Sequence, residues 1–284
     1  MILITDVGSS KGHWSLINKN KITKYKTSGF NPYISSDHDF SNIIDLLKNK
    51  FNFRKVKKIF YYGAGVKQKA EIDYLHNLLS QSFLNASINM GSDLLGACRA
   101  TCGNKRGVVS ILGTGSNSCL YDGEKIIKTI NSLGYIFGDE GSGFDMGRNF
   151  FKMYKRDLLP KDLSLNFKNE YDKKNNILKF IYQQNHKSKF ISNFSKFIFL
   201  NKNHPFVNDF IRLHFEKYFD DILSKYDKNE SLNFSGSIGF YYKSYISKLA
   251  EEKGFKIGKT ILYPIDGIYK FHSKKNHLLW VFVF

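Results

Sequence analysis

Two stretches of this chain carry one pattern: Ile2-Leu3-Ile4-Thr5-Asp6-Val7-Gly8-Ser9-Ser10, and later Val108-Val109-Ser110-Ile111-Leu112-Gly113-Thr114-Gly115-Ser116-Asn117-Ser118. Trp14-Ser15-Leu16-Ile17 and Lys21-Ile22-Thr23-Lys24 follow the first; Cys119-Leu120-Tyr121 and Lys125-Ile126-Ile127-Lys128 follow the second. Each copy is an apolar run, a turn of Gly and hydroxyl residues, a second run, a polar turn and a third run. A β-branched run broken by Gly and Ser reads as a strand turning tightly into its neighbour. Glycine lets backbone approach a ligand, and successive N–H groups with Ser and Thr hydroxyls make a concave donor surface suited to phosphate. Two such turns point to a pair of loops closing on one polyphosphate.

Working outward, Phe40, Ile43, Ile44 and Leu47 recur at helical spacing, and Lys58 to Tyr62 reads as a strand ending in Gly63-Ala64-Gly65. Ile72, Leu75, Leu78, Leu79 and Phe83 mark a second amphipathic helix, and a short strand from Ser87 to Met90 leads to a helix start at Ser92-Asp93. Strands alternating with helices of this length indicate an α/β layered domain with a partly parallel sheet. The second copy of the unit begins near Gly107, which sets a domain boundary at about residue 106: 1–106, then 107–272. Residues 150–204 carry helical periodicity and read as an insertion in the second domain. His204-Pro205 opens a long helix with Phe206, Phe210, Leu213 and Tyr218 on its apolar side. Leu232 to Ser235 reads as a strand running into Gly236-Ser237, and the helix after it stops at Gly254. The last residues, 273–284, form an atypical apolar tail that reads as an edge strand or an extension.

The 284 residues suffice for two domains of ordinary size. The net charge of +18 is spread along the chain in company with Asn, Ile, Phe and Tyr, and no nucleic-acid-binding motif accompanies it. It reads as compositional drift, so no nucleic acid is expected as partner. Cys98, Cys102 and Cys119 are an odd set without a disulfide framework or metal-ligand spacing, which reads as reduced, buried thiols. The start shows no signal-peptide pattern and no apolar run spans a bilayer. A cytoplasmic protein without a membrane partner is expected.

Four clusters carry candidate chemistry. In Asp6-Val7-Gly8-Ser9-Ser10-Lys11, an acid at a strand end beside a Gly/Ser turn and a lysine suits a magnesium–phosphate site or a plain hairpin. Gly113 to Ser118 is a run of small and hydroxyl residues between strands: a phosphate turn or a long hairpin loop. Asp93 reads locally as a helix cap or as a general base accepting a hydroxyl proton. Gly138-Asp139-Glu140-Gly141-Ser142-Gly143 packs two acids among glycines, which suits a ligand-facing loop that sets Asp139 against a polar substrate.

Taken in order, Asp6-x-Gly8-Ser9-Ser10-Lys11, Gly29-x-Asn31, Ser92-Asp93, Gly113-Thr114-Gly115-Ser116-Asn117 and Gly138-Asp139-Glu140-Gly141-Ser142-Gly143 resemble the N-acetylglucosamine kinases of the BadF/BadG/BcrA/BcrD ATPase group, in the actin-like superfamily. The similarity runs from Met1 to about His272. It implies two ribonuclease H-like domains with a central interdomain cleft that takes ATP and sugar. It assigns Gly8, Ser9, Ser10 and Lys11 to the first phosphate loop, Gly113, Thr114, Gly115 and Ser116 to the second, and Gly236 and Ser237 to adenosine. Asn31, Asp93, Thr114 and Asp139 match sugar-binding positions, Asp93 the catalytic base, and Asp6 the residue that holds Mg²⁺ through water. The implied activity is ATP-dependent phosphorylation of a small amino sugar such as N-acetylglucosamine at its 6-hydroxyl, with a homodimer as the family's assembly. Two other readings stand beside it: an ATPase activating a radical dehydratase, and a sugar sensor without turnover. The chain departs from the family at Gly12 and His13, where many relatives carry Thr then Asp. That departure reads as a hydroxyl donor lost from the first loop.

Overall fold

The structure, a computed structural model, describes residues 1–19 and 21–280. The chain divides into two compact units. The first holds Met1–Lys105, Asp122–Ile126 and the chain from Tyr263; the second holds Arg106–Tyr121 and Ile127–Leu262.

In the first unit β1 (Ile2–Val7), β2 (Lys11–Asn18) and β3 (Lys21–Ser28) run up and down, and α1 (Asp37–Lys48), β4 (Lys58–Gly63), α2 (Lys69–Ser82), β5 (Ser87–Ser92) and α3 (Asp93–Thr101) follow. The sheet order is β3-β2-β1-β4-β5, with β1 antiparallel to β2 and parallel to β4. The sequence already separates centre from edge. Leu3 to Val7 are all buried, as a strand covered on both faces requires, whereas β3 alternates half-buried and exposed residues. Helix α1 starts at a capping box, in which Ser36 and Asp39 satisfy each other's backbone N–H groups, and it buries Phe40, Ile43, Ile44 and Leu47. These side chains close over Leu3, Val7, Trp14, Ile59 and Tyr61 to make the unit's core.

The second unit repeats the order. Strands β6 (Gly107–Leu112), β7 (Ser116–Tyr121), β8 (Ile126–Ile130), β9 (Ser231–Ser235) and β10 (Lys256–Ile261) lie in the order β10-β9-β6-β7-β8. Strand β6 is antiparallel to β7 and parallel to β9, as β1 is to β2 and β4. The duplicated pattern in the sequence is therefore a duplicated fold. Between β8 and β9 stand α4 (Gly134–Phe137), α5 (Gly143–Lys155), α6 (Lys161–Tyr171), α7 (Ile177–Gln183), α8 (Lys187–Ser192), α9 (Phe194–Leu200) and α10 (Pro205–Asp221), a helical stretch wider than 150–204. Helices α11 (Ser237–Tyr241) and α12 (Lys243–Glu252) join β9 to β10, and Gly254 ends α12 at φ +77°.

Three expectations change. The stripe of α10 is rotated: Val207, Ile211, Phe215 and Tyr218 are buried, while Leu213 is 63% exposed and Phe206 and Phe210 lie at the core's edge. The helix is apolar on more than one side, so spacing alone does not locate its inner face. The stretch 263–272, read as the end of the second domain, packs in the first unit. Helix α13 (Ile265–Trp280) lies so close on α3 that a Cβ on Gly267 would stand 2.6 Å from Ala100 Cα, and the Tyr62 hydroxyl meets His272 Nε2 at 2.8 Å. Finally, the chain from Ser273 to Trp280 continues this helix and forms no edge strand. Residues 281–284 of that tail lie outside the described residues.

Candidate active site

In the first unit the β1–β2 turn is closed by the Gly8 N–H donating to the Lys11 carbonyl (2.9 Å), and the Phe30 N–H donates to the Gly8 carbonyl (3.1 Å). A Cβ on Gly29 would stand 2.1 Å from Gly8 O and 2.5 Å from Ser10 N, so the chain leaving β3 lies flat against the turn and only glycine fits. The side chains of Ser9 and Lys11 are exposed. Asn31 Nδ2 donates to Ser9 Oγ (3.1 Å), which joins the implied sugar residue to the implied phosphate turn.

Asp6 faces His13 across the β1–β2 pair, with Oδ2 3.8 Å from Nδ1 and both residues buried. Gly12 and His13 are therefore strand residues of β2, not members of the loop. Gly12 also has a packing reason. A Cβ there would stand 2.5 Å from Thr27 Oγ1 and 3.1 Å from Trp14 Nε1, two atoms joined by a 2.9 Å hydrogen bond. The place a threonine would take is filled. For Mg²⁺, Asp6 offers one buried carboxylate, and among the described residues no three His, Cys, Asp or Glu side chains are grouped to hold a metal. That suits a cation ligated mainly by water and phosphate.

Ser92, not Asp93, caps α3: its Oγ accepts from the Leu95 N–H (3.1 Å). Asp93 is the first residue of the helix, half-buried, and its Oδ1 accepts from the Leu94 N–H (2.8 Å). Burial pushes its carboxyl up to about 6 and the charge of Asp6 adds to this, while the Leu94 N–H and the Lys67 ammonium pull the other way. A carboxylate tuned toward neutrality is what a general base needs. Tyr61, on β4, is buried, its hydroxyl unpartnered among the described residues and under the influence of Asp93 and Asp6.

In the second unit the turn between β6 and β7 is held from three sides. The Gly113 N–H donates to the Gly115 carbonyl (3.0 Å). At the start of α5 the Gly143 and Phe144 N–H groups donate to the carbonyls of Gly113 (2.8 Å) and Thr114 (3.0 Å). Asp139 Oδ1 accepts from the Ser116 N–H (3.0 Å), and a Cβ on Gly115 would stand 2.6 Å from Asp139 Oδ2. Burial raises the Asp139 carboxyl above its ordinary range, opposed by the Ser116 N–H, and Glu140 and Asp145 raise it further. Gly236, at φ +106°, passes so near that a Cβ would stand 2.5 Å from the Leu112 carbonyl, and Ser237 opens α11 beside it. Each unit thus gathers its own set: Asp6, Gly8 to Lys11, Asn31 and Asp93 in the first, Gly113 to Ser116, Asp139, Gly236 and Ser237 in the second.

Three residues without an earlier role join the second set. Asn117, Ser132 and Glu140 line a small cavity with Ser116, Asp139, Tyr218 and the apolar side chains of Ile130 and Ile222. Asn117 and Glu140 stood inside motifs already marked, which was their signal. Tyr218 comes from α10, and only the fold brings it there; its hydroxyl is 2.7 Å from Ser110 Oγ. Behind the cavity α5 is pinned by Asp145, whose Oδ1 accepts from Arg148 (2.7 Å) and Asn149 (2.9 Å) and whose Oδ2 lies 3.7 Å from His214 Nδ1. Cys119, the cysteine nearest the second turn, is buried in β7 opposite Val109, a poor place for a cluster ligand.

No protein-family model and no curated protein sequence matches the chain. Solved structures do. The crystal structure of a candidate N-acetylglucosamine kinase from Porphyromonas gingivalis is 31% identical, with TM-score 0.90 over 97% of this chain and 100% of that one. A candidate N-acetylglucosamine kinase from Chromobacterium violaceum shares the fold at 13% identity, TM-score 0.75, over 95% and 98% of the two chains. A ROK family glucokinase from Streptomyces griseus, solved with glucose and AMPPNP, shares it at 12% identity, TM-score 0.61, over 94% and 97%. Identity of 31% over 97% of this chain and 100% of the P. gingivalis protein shows that this protein belongs to the N-acetylglucosamine kinase-like family of the actin-like ATPase and sugar-kinase superfamily.

Proposed function

We propose that the protein is an ATP-dependent kinase of an amino sugar, N-acetylglucosamine or a near relative, acting at the 6-hydroxyl. The observation that carries this reading is Asp93: an acid freed from capping duty by Ser92, raised toward neutrality, in the unit that also holds the Gly8–Lys11 turn. The sugar hydroxyl passes its proton to Asp93 while its oxygen bonds to the γ-phosphorus; the bond to the bridging oxygen breaks and ADP leaves. The backbone N–H groups and hydroxyls of the two turns bind phosphate, Lys11 adds positive charge, and Gly236 with Ser237 lies against adenosine. Asp6 would hold Mg²⁺ through water, and the bound cation would neutralise charge on the phosphates. On this reading Asn31 of the first unit and Thr114 and Asp139 of the second are the sugar-binding positions.

The reading is supported by the P. gingivalis relative and by the nucleotide and sugar bound in the S. griseus structure. It is tested by ADP release with N-acetylglucosamine, other amino sugars, plain hexoses and no sugar. Release that requires N-acetylglucosamine or another amino sugar is expected. Release independent of any sugar returns the activator reading, and sugar binding without ADP release returns the sensor.

A further inference from the structure

Tyr61 lies in the core of the first unit, 1% exposed, and its hydroxyl has no hydrogen-bond partner among the described residues. Such an unmade bond destabilises the fold, and phenylalanine would fill the same space without it. The side chain has a defined aim. A Cβ on Gly63 would stand 2.4 Å from Tyr61 Cε1 and 3.1 Å from its Oη, so the phenol reaches along β4 over a glycine that makes room for it. Gly63 pairs with Val7 on β1 and with Ser92 on β5. The hydroxyl therefore stands where β1 enters the phosphate turn and β5 delivers Asp93. Burial, then Asp93, then Asp6, all keep this phenol protonated, so it is a donor. The groups that act on Asp93 are Asp6 from β1, Lys67 from the segment after β4 and the N–H groups of Leu94 and of Asp93 itself.

We infer that Tyr61 is a positioning residue for Asp93, its buried hydroxyl donating to the carboxylate through one bridging water during turnover. The inference rests on the reading of Asp93 as base. A donor that reaches the ionised carboxylate through a water orients it and favours its charged, proton-accepting form.

The test is Tyr61→Phe in the full chain, measured beside the parent and Asp93→Asn with N-acetylglucosamine. Tyr61→Phe is expected to fold with unchanged or higher Tm, since an unpartnered oxygen is gone. Its kcat falls about tenfold, as for a lost hydrogen bond to a charged group, with KM for ATP unchanged. The acidic limb of its kcat–pH profile moves upward, because the carboxylate has lost a donor. An unmoved limb overturns the inference whether or not kcat falls, since damage to packing lowers rate without retuning the base. Turnover surviving in Asp93→Asn overturns the base assignment instead.

Discussion

Asp93 has two measurable properties that follow from one cause. Because its folded pKa is raised to about 6, it is half-protonated near that pH, and a base works only when ionised. Turnover is expected to fall about tenfold per unit as pH drops below 6, and Asp93→Asn is expected to cut kcat by roughly 10²–10⁴ with ATP binding retained. Steady-state kinetics with a separate nucleotide-binding assay check both. The same shift sets the sign of the stability effect. A carboxyl with a raised folded pKa contributes stability below its unfolded pKa and loses it as pH rises through 6. Asp93→Asn should therefore be as stable as the parent at pH 4 and more stable at pH 7, by up to about 2 kcal/mol. Paired denaturation curves at the two pH values decide this; a less stable variant at pH 7 would mean that the carboxylate serves the fold. Asp93 was legible as a candidate from its place after Ser92. Its release from the cap was not, since either residue suits that role.

At the scale of single elements, the turns owe their shape to close backbone approach. Gly236→Ala would hold an alanine at φ +106° with its Cβ 2.5 Å from the Leu112 carbonyl. Strain of this kind costs roughly 1–3 kcal/mol, so a lower Tm and weaker nucleotide affinity are expected together, by calorimetry on one sample. Gly12→Thr, which writes the commoner family residue into β2, would meet the Thr27–Trp14 hydrogen bond. Overpacking there should cost about 1–3 kcal/mol without raising kcat; a faster enzyme would revive the idea of a weakened first loop. The sequence pattern revealed both turns. It misplaced Gly12, because the end of a loop is set by the register of Val7 with Gly12 and Asp6 with His13, which no local composition encodes.

For the whole molecule, the C-terminal helix is the test of how the first unit closes. Ile265, Ile268 and Phe271 of α13 are buried. Each buried side chain of this size is worth roughly 1.5–3 kcal/mol, a large share of the about 5–15 kcal/mol that holds a domain. A chain ended after Leu262 should lose hydrogen-exchange protection across α3 and β4 while β6, β9 and α5 keep theirs. Equal protection in both chains would show that α13 adds nothing to the first unit. Among the described residues no helix is long and apolar enough to cross a membrane.

By itself the sequence determined the twofold strand–turn–strand plan, the helices with one clear apolar stripe, and the motifs that gather into two sets. These are local: spacing, caps and turn residues decide them over a few positions. Tertiary structure alone decided the rest. It chose the inner face of α10, returned the chain from Tyr263 to the first unit, set Asp139 on the Ser116 N–H, and buried the hydroxyl of Tyr61 beside the strand end that carries Asp93. The physical reason is that contact between residues far apart in the chain depends on which surfaces pack, and packing is a property of the assembled layers.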